Sequence, residues 1–292
     1  MDSTRTQDGR PAPDVAEPAV AAVDLPRDID YPTAPFLGPR IVEKVNLQSV
    51  LPYINESTLF QFQWGYRRKG RPLKEYNAYL DREVRPILYE LGQQCAKEGI
   101  LDAKGAYGYW RCLTEGDTLV LLDPEDDGKE AARFSFPRQN GKKNLCITDF
   151  FRGDGEPDVV ALQVVTIGQQ ASDTAREWFA ADRYKDYLHL HGLSVEAAEG
   201  LAEYIHRQIR GELGITGDDA RDMRALFKQG YRGSRFSFGY PACPNLEDQE
   251  ILLELLDAKR VGIELSDEFQ LWPEQSTSAL VCHHPSAKYF TI

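Results

Sequence analysis

The chain has 292 residues, of which 42% are hydrophobic and 11% aromatic, so it can bury a sizeable core. Its net charge of −12 argues against non-specific nucleic-acid binding, because neutralising phosphates requires clusters of Lys and Arg. No apolar run approaches the length of a membrane span and the N-terminus has no signal-peptide pattern, which predicts a cytoplasmic protein that does not enter a membrane.

The first 40 residues differ in composition from the rest of the chain. Prolines recur from Pro11 to Pro39 and would break any helix as it starts. We therefore predict a flexible Pro/Ala-rich tail over residues 1–40 and one folded domain over residues 41–292.

The sequence of the first half of this domain predicts helical segments followed by strands. The predicted helical or apolar segments are 46–54, 59–64 and a helix from about Pro86 to Lys97. The predicted strands are 107–112, 118–122, 132–136, 144–151 and 159–167, separated by Gly and Asp turn signals. Residues 159–167 are almost continuously apolar, which is typical of a strand at the centre of a sheet.

The second half is mainly helical. Helices are predicted from Gly168 to Tyr187, from an N-cap at Ser194 to Arg210, over 218–229 and over 246–259, with closing strands at 276–282 and 289–292. The predicted fold class is α+β, a single domain with a central twisted, mostly antiparallel sheet flanked by helices.

Residues 235–244, with the sequence RFSFGYPACP, predict a rigid turn that binds a ligand. Gly239 can adopt positive φ and lets a ligand approach the backbone, while Tyr240 offers a flat face. Arg235 offers a fork of donors for a carboxylate. This set of groups suits a small ligand that carries both charges.

Glu199 and Glu203 are four residues apart on a predicted helix and therefore share one face. Two interpretations remain open from spacing alone. The pair either forms a solvated acidic surface, with Arg207 pairing with Glu203, or contributes to a binding site.

The pattern R-x-x-x-G-Y-x-x-x-P at residues 235–244 resembles the S-adenosylmethionine-binding signature of the activation domain of cobalamin-dependent methionine synthase. Further segments occur in that family's order: 53–55, 63–64, 108–110, 146–150, 202–206, 271–273 and 284–289. The resemblance covers roughly residues 40–292.

The resemblance implies roles for individual residues in binding S-adenosylmethionine. Arg235 would bind the ligand's carboxylate, Ser237 would offer backbone hydrogen bonds, and Glu199 would hydrogen-bond the ligand. Tyr240, next to Gly239, would pack near the ribose or adenine. The backbone of Tyr289 would contact and recognise the adenine. Asn55 stands where the family often has aspartate, so Asn55 or the neighbouring Glu56 would receive the ammonium group.

The resemblance also implies reductive methylation of cob(II)alamin held by the cobalamin-binding domain of methionine synthase, with electrons from a flavodoxin-like donor. No catalytic side chain is expected. Without the other modules, this chain is expected to act as a separate subunit or excised domain. The alternatives are a regulatory S-adenosylmethionine-binding module or a degenerate scaffold.

The basic segment Arg67-Arg68-Lys69 is either a solvated loop or a docking patch for the acidic donor.

Metal and cobalamin sites within this chain are not predicted. The five cysteines contain no C-x-x-C pair, and His283 and His284, adjacent on a strand, would point to opposite faces. In the corrinoid motif D-x-H-x-x-G the histidine follows the aspartate by two residues, whereas His189 follows Asp186 by three. We therefore interpret residues 186–192 as a helix end closed by Gly192. Residues 149–155 are predicted to form a hairpin turn and not a nucleotide-binding loop.

Overall fold

The computed structural model describes residues 25–140 and 143–292, so most of the predicted tail lies outside the described residues. The strands are β1 Gly38–Val42, β2 Lys104–Glu115, β3 Thr118–Leu122, β4 Glu130–Ser135, β5 Asp158–Thr166, β6 Ser234–Ser237, β7 Glu264–Leu265, β8 Leu271–Trp272 and β9 Ser276–Cys282. The α-helices are α1 Leu47–Val50, α2 Glu56–Thr58, α3 Leu73–Tyr79, α4 Arg85–Glu98, α5 Gln169–Ala180, α6 Tyr184–Glu212, α7 Met223–Leu226 and α8 Asp248–Leu255.

The main sheet of the described residues has seven strands in the order β4-β3-β2-β5-β9-β6, with β1 also paired to β2. Its strand pairs are antiparallel, as predicted. Strand β5 lies between β2 and β9, and all nine of its residues are buried, which confirms the prediction of a central strand.

The two faces of β5 contribute to two separate hydrophobic cores. Val159, Ala161 and Val165 pack into a core with the helices, because alternate side chains of a strand point to the same face. Val160, Leu162 and Val164 pack into the other core, which includes Phe236 and α8 residues. The sheet is therefore covered on both sides.

Helix α6 lies across the sheet with an apolar stripe at helical spacing, consisting of Leu190, Leu193, Ala197, Leu201 and Ile205. This helix has 29 residues, more than were predicted. Ser194 is not an N-cap but lies inside the helix, where its hydroxyl donates to the carbonyl of Leu190 at 2.7 Å. Gly192 does not end a helix either. A Cβ atom at this position would lie 2.8 Å from the Cβ of Gln63, so glycine permits close packing against the 59–63 helical segment.

Several other predictions are wrong in detail. Residues 147–150 form a 3₁₀ helix, because the Asp149 carboxylate accepts a hydrogen bond from the Cys146 amide and closes a turn. Residues 289–292 form no strand, and the helix predicted over 218–229 is reduced to α7. The helical region that contains α4 begins earlier than Pro86, at Leu73.

The boundary between tail and domain also requires correction. Strand β1, part of which was assigned to the tail, pairs with β2 from Gly38↔Tyr109 to Val42↔Gly105. Before it, the Arg27 guanidinium donates to the carbonyl of Phe151 at 2.6 Å. The folded domain therefore includes residues before 41. Within the described part of the chain, none of the helices has the length and apolar character needed to span a bilayer.

Candidate functional site

A cavity of about 440 Å³ lies between α6, the helical turns near residues 53–58, and β6 with the turn that follows it. Six of the seven predicted site residues line it: Asn55, Glu199, Arg235, Ser237, Tyr240 and Tyr289. Gly239 belongs to the same turn without being one of the lining residues. Elements that are distant in sequence thus meet around one concave surface.

The turn after β6 is held by its own backbone. Gly239 has φ of +86°, and its amide donates to the carbonyl of Cys243 at 2.8 Å. The Cys243 amide in turn donates to the carbonyl of Tyr240 at 2.8 Å. A Cβ at Gly239 would lie 2.8 Å from Leu246, so glycine suits both the conformation and the packing. Tyr240, 54% exposed, stands at the cavity rim.

Arg235 is positioned by the pairing of β6 with β9, in which it lies opposite Val281. Its guanidinium donates to Glu199 Oε2 at 2.9 Å, and its Nε lies 3.9 Å from Glu203 Oε2. Burial opposes the charge of this guanidinium, but the carboxylates of Glu199 and Glu203 outweigh it and raise the pKa of Arg235. Glu199 and Arg235, predicted to bind the same ligand, therefore pair directly with each other.

Beneath this pair, Glu203 belongs to a buried charged network. Arg210 Nη1 lies 3.5 Å from Glu203 Oε1, and Arg210 Nη2 donates to Asp219 at 3.0 Å. Burial would raise the pKa of Glu203, but His206 and the two arginines lower it overall. Burial lowers the pKa of His206 itself to about 4. The predicted Glu203–Arg207 pair is not formed, since Arg207 instead donates to the Tyr53 hydroxyl at 3.0 Å.

Asn55 lines the cavity, but its Oδ1 is occupied as the N-cap of α2. It accepts hydrogen bonds from the amides of Ser57 and Thr58 at 3.2 and 3.3 Å. The alternative residue, Glu56, forms a two-oxygen contact with Arg85 and is not among the lining residues. The Asn55 amide therefore brings no charge to this cavity, and the Glu56 carboxylate is paired elsewhere.

Tyr289 borders the cavity from the C-terminal segment. Its backbone amide already donates to Gln229 Oε1 at 2.9 Å, which leaves its carbonyl and ring for a ligand. The ring of Tyr289 stacks at 6.4 Å from Phe236, a core residue of β6. The aromatic side of the cavity is thus anchored to the core.

Glu196 lines the cavity and was missed in the sequence analysis. It lies one turn before Glu199 on α6 and is only 5% exposed. Burial, and next the neighbouring Glu199 charge, raise the pKa of Glu196 to about 7, although a hydrogen bond with Gln63 opposes this. The spacing of residues 196, 199 and 203 on one helical face was the signal that could have indicated it.

The two adjacent histidines have separate partners. His283 Nε2 lies 2.7 Å from Asp158 Oδ1, and His284 Nε2 lies 3.0 Å from the carbonyl of Pro26. Among residues 25–140 and 143–292, no group of three or more His, Cys, Asp or Glu side chains is placed to hold a metal ion. Residues 186–192, considered for a corrinoid motif, lie inside α6, and His189 contacts the Tyr66 hydroxyl at 3.0 Å.

Comparison with known proteins identifies the family. Residues 46–292 match the model for the activation domain of vitamin B12-dependent methionine synthase. The chain belongs to this family. It is 44% identical over 284 residues to methionine synthase of Mycobacterium tuberculosis and 42% identical over 280 residues to that of Mycobacterium leprae. These alignments cover 92% and 91% of this chain, and the chain spans about a quarter of the length of these relatives.

A solved structure supports the family's fold for this chain. The MetH reactivation domain bound to AdoHcy superposes with a TM-score of 0.79 at 24% sequence identity, covering 90% of this chain and 83% of that one. At this identity the match concerns the arrangement of the sheet and helices, and the α+β prediction is confirmed.

Proposed function

We propose that this activation domain binds S-adenosylmethionine in the cavity beside Arg235 and presents its methyl group to a cobalamin held by a partner domain of methionine synthase. The observation that carries the proposal is the pairing of Arg235 with Glu199 on the wall of a 440 Å³ cavity beside the 237–243 turn. The related MetH reactivation domain was solved bound to AdoHcy, which supports the same class of ligand.

The Arg235–Glu199 pair can exchange partners with the amino-acid end of the ligand. A carboxylate would replace Glu199 on the guanidinium, and a cationic centre of the ligand would occupy the vacated Glu199 oxygens. Arg235 also has Nη1 buried without a hydrogen-bond partner among the described residues, so it has spare donor capacity. Because each charge lost in the protein pair is replaced by a ligand charge, the exchange leaves no buried charge unpaired.

The nucleoside end would contact the aromatic side of the cavity. Tyr240 and Tyr289 both present partly exposed rings, which suit stacking with adenine. Ser237 and Gly239 bring backbone groups of the turn close to the same side. These contacts would fix the ligand's orientation and thus the direction of its methyl group.

The chemistry requires positioning more than proton transfer. The cobalamin of the partner domain, once reduced by one electron from an external donor, would supply the electron pair that accepts the methyl group, while the electron pair of the broken carbon–sulfur bond would stay on the sulfur of AdoHcy. The protein contributes by holding the methyl carbon in line with the cobalt.

The proposal includes a flavodoxin-like electron donor and a cytoplasmic location. The exposed residues Arg67, Arg68 and Lys69 suit contact with such an acidic donor.

Calorimetry with S-adenosylmethionine tests the binding step. We expect Arg235→Ala to weaken binding by roughly 30-fold or more, equivalent to about 2 kcal/mol for a charge-assisted hydrogen bond. The matched control is Arg176→Ala, which removes an arginine from an exposed ion pair with Asp173 on α5 and should bind as the wild type does. Equal binding by the two variants would remove Arg235 from its assigned role.

A mixing experiment tests the reaction. The domain is combined with S-adenosylmethionine, a one-electron reductant and a cobalamin-binding domain loaded with cob(II)alamin, and methylcobalamin is followed by its absorbance. We expect methylcobalamin to form with the wild type and to form far more slowly with Arg235→Ala. Binding of S-adenosylmethionine without any methylcobalamin would instead identify a regulatory module, and the absence of both would identify a scaffold.

A further inference from the structure

Glu196 is a nearly buried carboxylate that faces the cavity without a cationic partner. It lies on α6 one turn before Glu199 and lines the cavity wall. The ion pairs among the described lining residues join Arg235 to Glu199 and Glu203 and do not include Glu196. A carboxylate that is 95% buried ordinarily has a partner charge, so this residue requires an explanation.

The ion-pair network at the cavity wall has a negative excess. The charged groups in contact with one another there are Arg210, Arg235, Glu199, Glu203 and Asp219. Two positive groups therefore face three negative ones, and His206 is neutral at pH 7 because its pKa is about 4. Ionised Glu196 would add a second uncompensated negative charge. Arg207 and Lys288 also contact lining residues, at the Tyr53 hydroxyl and at the carbonyls of Gln229 and Tyr231, but among the described residues neither forms an ion pair with this network. The carboxylates that line the cavity therefore suit a ligand with cationic centres.

Apart from Arg235, none of the described lining residues carries a positive charge. The Gln63 side chain, from the 59–63 segment, lowers the pKa of Glu196 but is neutral. Tyrosines from neighbouring segments line the same cavity: Tyr53, Tyr231, Tyr240 and Tyr289. Asn55 brings no charge, and its oxygen already caps α2. A cation of the ligand can therefore supply the partner that ionised Glu196 does not have among the described ion pairs.

We propose that Glu196 is a positioning residue that pairs with one of the two cationic centres of S-adenosylmethionine while Glu199 pairs with the other. This inference rests on the proposed function. The ligand carries an ammonium, a sulfonium and a single carboxylate, so two cationic centres would each face one carboxylate, and Arg235 would hold the ligand's carboxylate. Because burial raises the pKa of Glu196 to about 7, this carboxyl is partly protonated at pH 7, and binding a cation beside it would release protons.

Proton-linked calorimetry on the complete chain tests the inference. S-adenosylmethionine is titrated at pH 7 in buffers of different ionisation enthalpy, for the wild type and for Glu196→Gln. We expect the wild type to release more protons per ligand than the variant, up to about one, since Glu196 is partly protonated beforehand. Taking the difference between the two proteins cancels the ligand's own amine titration. We also expect the variant to bind roughly tenfold more weakly at pH 8.

Controls separate this role from a structural one. Glu177→Gln removes the same charge from an exposed position on α5 and should keep both the affinity and the proton release of the wild type. Thermal unfolding of Glu196→Gln at pH 8 should show stability equal to or above that of the wild type, which excludes misfolding as the reason for weaker binding.

A second titration with AdoHcy, which has the ammonium but no sulfonium, identifies the cationic centre. If the Glu196-dependent proton release persists with AdoHcy, Glu196 faces the ammonium; if it disappears, Glu196 faces the sulfonium. Unchanged affinity and proton release in Glu196→Gln would overturn the inference while leaving the Arg235-dependent binding site intact. Failure of the wild type to bind S-adenosylmethionine would overturn both proposals.

Discussion

Arg210 and Arg235 approach the same carboxylate, Glu203, the first at Oε1 and the second at Oε2, yet their surroundings differ. Arg210 is 1% exposed, donates to Asp219, and its guanidinium lies 4.1 Å from the centre of the Tyr231 ring. The side chain of Arg235 is 18% exposed and borders the cavity, where it pairs with the more exposed Glu199. An enclosed charge thus stabilises the fold, whereas a charge at a cavity wall is available to a ligand.

The largest expected effect concerns the stability of the two arginine variants. Arg210→Ala would leave Asp219 and Glu203 without their buried partner, so we expect a loss of about 3–5 kcal/mol in the free energy of unfolding. Arg235→Ala should lose only about 1 kcal/mol, because Glu199 can turn to water. Urea unfolding monitored by circular dichroism measures both, and equal losses would contradict the distinction between enclosed and cavity-facing charges.

A smaller effect is expected from Glu196, the cavity carboxylate without a cationic partner. Its pKa is about 7 in the folded state against 4.5 ordinarily, so its contribution to stability is complete below pH 4.5 and is lost as the pH rises through 7. We expect wild type to lose about 2 kcal/mol relative to Glu196→Gln between pH 4.5 and 8, after allowing for screening by water in the cavity. Parallel stability profiles of the two proteins across this range would show that Glu196 titrates normally.

The smallest expected effect is that of Glu199→Gln. Its side chain is 47% exposed, so losing its pair with Arg235 should change the free energy of unfolding by less than about 0.5 kcal/mol. Affinity for S-adenosylmethionine should nevertheless fall several-fold, because the cationic centre of the ligand that faces Glu199 loses its counter-charge. Unfolding and calorimetric measurements on the same preparation separate these effects. A large stability loss without a change in affinity would place Glu199 with Arg210 as a structural residue.

Strands were predicted well where a short apolar run ends at clear turn signals. Residues 118–122 and 276–282 match β3 and β9 to the residue, and β5 is shifted by only one position. Strand β1 was missed because Gly38 and Pro39 resemble the tail composition, while its strand character depends on pairing with β2. Local sequence does not contain that information.

The predicted helix boundaries at residues 192 and 194 were wrong for a related reason. Gly192 and Ser194 carry the residue types of a helix end and a helix start, but both lie within α6. Glycine also serves where another segment packs closely, and here it contacts the side chains of Gln63 and Trp64. Sequence spacing alone does not distinguish these two uses, because the packing partner lies about 130 residues away in the chain.

The candidate site was predicted largely through the family signature, and the structure brings six of the seven predicted residues to one cavity. Their binding roles stay predictions. The pairing of Glu203 with two arginines and the lack of a cationic partner for Glu196 could not be predicted, since both depend on how β6 approaches α6. Charge compensation is a property of the tertiary structure, whereas the motif describes only the local backbone.

Strand β1 has a consequence for shortened versions of this domain. It covers the stretch Gly105–Tyr109 of β2, next to the stretch Cys112–Glu115 that β3 covers, while β5 covers the other edge. A chain that started at residue 46, where the family match begins, would leave the amides and carbonyls of 105–109 without these partners. Such a bare edge can recruit a strand from a second molecule, so the shortened protein would tend to self-associate, and titrations on it would report aggregation together with ligand binding.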